Sequence, residues 1–127
     1  MSSRRRRACL VAATALALAL VVLVYRGPGW HFTRDHVGDV AAAMFVLAVL
    51  TFAVPRLRMR VLAPTSFAVC TLVELGQTVW SGLDGTAVGE FVLGAVFDPI
   101  DLLAYAVGTV IAGIALAQPA RRLDDDR

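Results

Sequence analysis

The sequence predicts an all-α integral membrane bundle of four transmembrane helices, with a short non-spanning apolar segment between the third and fourth. Three observations carry that expectation. The chain of 127 residues is 58% hydrophobic, with a mean hydropathy of +0.72, whereas an ordinary soluble domain is about 45–50% apolar. A soluble chain this short cannot hide the excess in one core, because small domains bury a limited share of their surface. Four apolar runs reach the length needed to cross a bilayer, about 20 residues within a range of roughly 17–25. The arginines, finally, fall between those runs in a one-sided pattern.

The first span is expected over Ala8 to Tyr25, "ACLVAATALALALVVLVY", which holds no charge. Its exit, "VVLVYRGPG", lacks a small-x-small cleavage site, so it reads as an uncleaved span and not as a removed signal peptide. The second runs from Val37 to Val54, with Asp39 near its start and Pro55 closing it. The third runs from Val61 to Trp80 and contains Glu74 and Gln77. Ala87 to Phe97 is apolar but too short to span, which suits a half-helix or interfacial segment. The fourth runs from Ile100 to Gln118, with Asp101 near its start. Residues 1–7 form a basic N-terminus, 8–118 one transmembrane domain, and 119–127 a charged tail expected to be solvated and frayed.

All twelve basic residues are arginine. With four spans, Arg4 to Arg7, Arg56, Arg58, Arg60, Arg121, Arg122 and Arg127 share one side, and only Arg26 and Arg34 lie on the other. The positive-inside rule then places both termini in the cytoplasm of a multi-pass plasma-membrane protein. The bilayer is the expected partner. Nucleic acid is not, because the net charge is only +2 and no aromatic-interleaved basic patch exists. Cys9 and Cys70 lie within apolar runs without metal-ligand spacing and read as small buried hydrophobes. No cofactor motif is present, and the spacing of His31 and His36 supports no metal site. Those two histidines read as interfacial donors, and Trp30 and Trp80 as interfacial anchors. Gly108 and Gly113 read as points of close helix packing.

This topology gathers the acidic residues. Seven of the ten fall on or near the outer half. Glu74 lies six residues before Trp80, roughly 9 Å below the outer end at about 1.5 Å per residue. It shares a helix face with Gln77. A carboxylate facing lipid costs about 2.5–3.5 kcal/mol on insertion scales, so Glu74 should turn inward. Asp39 on the second span and Asp101 on the fourth are its expected partners at similar depth, with His36 and Tyr105 on the same faces. Arg34, His36, Asp39, Glu74, Gln77, Asp101 and Tyr105 are therefore the candidate residues of an outward-facing polar pocket. Structural alternatives stand beside this one. Asp35 and Asp98 suit helix caps, Asp39 and Asp101 suit the first turn of a helix, and Glu74 suits an interhelical hydrogen bond. Crowded carboxylates need relief, by protonation, by pairing with Arg34 or Arg26, or by a bound cation.

The series "RDHVGD" at Arg34 to Asp39, a proline after the second span, "VELGQ" at Val73 to Gln77 and "GEFVLGAVFDPIDLLAYAVG" at Gly89 to Gly108 resembles a small bacterial membrane family, domain of unknown function twenty-eight-oh-nine. The resemblance covers the chain from the first span onward. More distantly the pattern is similar to VanZ-like proteins, with their acidic span start, E-x-x-Q and late D-x-x-A-N/Y-x-x-G. Here Tyr105 stands where VanZ-like chains often have Asn, and Thr78 replaces the aromatic residue that commonly follows E-x-x-Q. The resemblance implies a four-helix membrane protein and, through the VanZ relatives, a link to glycopeptide resistance. Three functions compete: an envelope-associated binding or accessory protein engaging an envelope lipid, an envelope precursor or a partner helix; a small oligomeric transporter or proton-coupled carrier; and an intramembrane hydrolase or transferase. No Ser–His pair or phosphate loop accompanies the carboxylates, so no catalytic residue is assigned.

Overall fold

The computed structural model describes residues 1–82 and 99–117, with side chains for all of these except 77–82. The described residues form four helices: α1 (Ser3–Val24), α2 (Trp30–Ala53), α3 (Met59–Gly82) and α4 (Pro99–Ala117). Each contains a stretch long and apolar enough to cross a membrane, and no strand occurs among the described residues. The apolar segment at 87–97, together with Asp84, Glu90, Asp98 and the charged tail, lies outside the described residues.

α1 starts within the arginine run. The Ser2 hydroxyl accepts the Arg5 N–H at 3.4 Å and caps the first turn. Its buried residues, Ala8, Ala15 and Val22, recur every seventh position. That spacing makes a thin seam of the coiled-coil kind. Leu10, Leu16, Leu20, Val21 and Leu23 face outward, as lipid-exposed side chains do. At its C-terminus the Arg26 guanidinium donates to the carbonyls of Leu23 and Tyr25, satisfying groups that no further turn can reach. Gly29, at φ +68°, makes the left-handed turn into α2.

α2 begins at Trp30, well before the expected Val37, and passes through a π-helical turn at Thr33–Val37. Asp35 therefore lies inside the helix and is not its N-cap; Gly29 occupies that position. The helix stops at Ala53 because Val54 precedes a proline, which pushes its backbone out of the helical region (φ −123°, ψ 66°).

α2 is the central helix and touches all three others. Its small buried residues, Ala41, Ala43, Ala48 and Thr51, bring neighbouring backbones close, the usual source of cohesion between membrane helices. Gly108 of α4 is the tightest approach. A Cβ there would collide with the Val40 carbonyl oxygen and come within 2.9 Å of the Ala43 Cβ. Gly113 does not share that role, since a Cβ there would meet nothing within 4 Å. Met44, Leu47, Leu62, Ala112 and Leu116 complete the main core with Ala8 and Ala15. A smaller cluster joins Ala43, Cys70 and Tyr105. Cys70 is buried as its apolar surroundings implied, but Cys9 is exposed.

Candidate functional site

The end of the bundle where α2 and α4 begin carries the polar residues. His36 and Asp39 occupy successive turns of α2 on either side of the close of the π-helical turn. Asp101 lies in the first turn of α4, and Tyr105 one turn later on the same face. Glu74 approaches from α3, one turn beyond the buried Cys70.

These five side chains form one connected cluster. The Tyr105 hydroxyl donates to Glu74 Oε2 at 2.8 Å. A carboxylate oxygen of Asp39 lies within 4.8 Å of the facing atoms of His36 and Asp101, and Asp39 is close enough to Tyr105 and Glu74 to interact with them electrostatically. His36 Nδ1 is 3.2 Å from Asp101 Oδ1. The chain thus runs His36–Asp101–Asp39–Tyr105–Glu74 across three helices. Phe32, one turn before His36, packs edge-on against the imidazole at 4.4 Å and holds its orientation. Tyr105 is buried, while the side chains of His36 and Asp101 keep 17% and 22% of their surface. The cluster is therefore sealed at the tyrosine and open at the histidine.

Other sequence-predicted residues fall elsewhere. Arg34 is exposed on the π-helical turn and forms no ion pair among the described residues. Arg26 turns to the end of α1 and to the Trp30 ring, 5.1 Å from its centroid. Among the described residues neither arginine pairs with the carboxylates, and the His36 imidazole is the side chain that contacts Asp101. His31 is exposed and lies against Trp30, with ring centroids 3.6 Å apart, as an interfacial side chain. Gln77 follows Glu74 by one turn of α3, but its side chain lies outside the described residues.

The arrangement can also hold a cation. His36 and one carboxylate oxygen each from Asp39 and Asp101 offer ligand atoms within 4.8 Å of one another. An imidazole with two carboxylates suits divalent metals that take mixed nitrogen and oxygen ligands. Sequence spacing argued against a metal site because the histidines alone show no ligand pattern. The third ligand comes from another helix, so the set exists only in the folded chain.

Helices and cluster together define a small four-helix membrane protein with a partly buried network of carboxylates, tyrosine and histidine. A family model matches residues 29–109, and the chain belongs to that family, described as protein of unknown function (DUF2809). The match starts at the turn into α2 and ends just past Tyr105, so it takes in every residue of the cluster and leaves α1 outside. No curated protein and no solved structure matches the chain.

Proposed function

We propose that the protein is a non-enzymatic binding or accessory protein of the cell envelope, embedded in the plasma membrane with both termini cytoplasmic. Its cluster of His36, Asp39, Asp101, Tyr105 and Glu74 would face outward. The observation that carries this reading is the cluster's asymmetry, sealed by Tyr105 and open at His36 and Asp101. Three carboxylates with one imidazole repel phosphate and favour a cationic or hydroxyl-rich ligand. An amine-bearing lipid head group, an envelope precursor or a partner helix carries that chemistry. The envelope context rests on the VanZ-like sequence pattern and is an analogy.

A proton-coupled carrier draws support from the grouping of titratable side chains from three helices. Against it, Leu47, Leu62, Ala112 and Leu116 fill the interior beyond the cluster with apolar side chains, which disfavours a path to the other face. For a hydrolase, no serine–histidine contact forms among the described residues, and the buried Ser66 hydroxyl instead donates to the Ala43 carbonyl at 3.4 Å.

The test is a susceptibility panel of envelope-active antibiotics in a host without the gene, with the wild type, and with Glu74→Ala at matched expression. A shift conferred by the wild type and lost in the variant is the expected result. No shift in any strain would remove the envelope reading. Proton flux into proteoliposomes holding the wild type, absent with Glu74→Ala, would favour the carrier instead.

A further inference from the structure

The opposite end of the bundle, remote from the acidic cluster, joins the N-terminus of α1 to the C-terminus of α2. The Arg4 guanidinium donates to the Pro55 carbonyl. Arg5 donates through Nε to the Phe52 carbonyl at 3.2 Å, and its guanidinium lies 5.4 Å from the centre of the Phe52 ring. These contacts hold Arg5 through its inner nitrogen and its face. Beside them is an open cavity of about 460 Å³ lined by Ser2, Arg5, Ala53, Val54, Pro55 and Arg56. Two arginines and a serine line it, with no carboxylate among the described residues. The positive end of the α1 dipole lies at the same place. Guanidinium forks match phosphate oxygens in geometry as well as charge.

A second feature continues from the first along the same α1–α2 seam. Ala8, Cys9, Ala12, Ala48, Val49 and Phe52 line a groove of about 170 Å³ that carries no charged group. A basic cavity at a helix end followed by an apolar groove along the helices has the layout of a phospholipid, head group then acyl chain. Basic pockets between helices are known sites for anionic lipid head groups.

We propose that this seam binds an anionic phospholipid, with its phosphate on Arg5 and Arg56 and one acyl chain in the groove beneath. The phosphate chemistry alone would also suit free inorganic phosphate; the groove favours the lipid.

The experiment uses the full chain in nanodiscs of phosphatidylglycerol and phosphatidylcholine with identical acyl chains, followed by native mass spectrometry of the lipid retained. The expected result is a preference for phosphatidylglycerol of about fivefold for each arginine engaged. The double variant Arg5→Gln/Arg56→Gln should abolish it. Arg58→Gln/Arg60→Gln makes the same charge change at the same end but outside the cavity, and should leave the preference intact. Equal losses in the two double variants would overturn the proposal, because a diffuse basic field would then explain the binding. Ala12→Leu keeps every charge and narrows the groove; it should weaken retention of phosphatidylglycerol. Displacement of the lipid by millimolar inorganic phosphate, with Ala12→Leu behaving as wild type, would overturn the lipid in favour of free phosphate.

Discussion

Tyr105 shows how one side chain serves both packing and polarity. Its ring joins Ala43 and Cys70 in the smaller core, while its hydroxyl satisfies Glu74. Tyr105→Phe keeps the ring and strips a half-buried carboxylate of its donor, which costs about 0.5–1.5 kcal/mol. A lowered melting temperature in detergent, with helix content unchanged, is the expected result. His36 and Asp101 should be coupled as well: a double-mutant cycle with His36→Ala and Asp101→Ala should return an interaction energy of about 0.5–3 kcal/mol. Additive losses would mean that the 3.2 Å contact contributes nothing. The acidic members of this network were legible in the sequence, because a carboxylate in a lipid-length apolar run has to turn inward. The partner chosen by His36 was not. Sequence spacing set it beside Asp39 on one helix face, and only the approach of α4 pairs it with Asp101.

At the scale of elements, the contrast between two glycines on α4 separates packing from mere smallness. Gly108 sits where α4 crosses Val40 and Ala43 of α2, and Gly113 has open space around it. Gly108→Ala forces the helices apart at the crossing and should destabilise by about 1–3 kcal/mol, the usual cost of overpacking. Gly113→Ala should stay within about 0.5 kcal/mol of wild type. Thermal unfolding of the two variants in one detergent checks both, and equal shifts would contradict the crossing. The π-helical turn of α2 is the other feature that sequence reasoning passed over. The second apolar run starts at Val37, yet the helix already begins at Trp30 and carries the polar residues before that run. The turn's backbone bonds are made within the helix, and that fact does not depend on which side chains are apolar.

At the scale of the whole molecule, the described residues are polarised along the helix axes. Arginines gather where α1 begins and α2 ends, and carboxylates gather where α2 and α4 begin. Contacts of Arg4 and Arg5 with Pro55 and Phe52 place the N-terminus and the α2–α3 connection at one end. In a Cys9→Ser/Cys70→Ala background, single cysteines introduced at Ser3 and Arg58 should therefore react with an impermeant thiol reagent from the same side of the membrane. A cysteine at Pro28 should react only from the opposite side. Reaction of Ser3→Cys and Pro28→Cys from one side would mean that α1 does not cross.

Four apolar runs, their lengths and the arginines between them were enough to determine four spanning-length helices and no strand among the described residues. Lipid solvates apolar side chains and excludes unpaired backbone groups, so each run has to become a helix on its own account, whatever its neighbours do. The same physics marked Glu74, Asp39 and Asp101 as inward-facing. What the runs do not encode is how the helices approach one another. In lipid that depends on close contact between small residues, and on which polar groups meet across the interface. The Gly108 crossing, the His36–Asp101 pair, the grouping of three potential metal ligands and the arginine-lined cavity are all products of that approach. They unite residues from separate helices, and only the tertiary structure decides them.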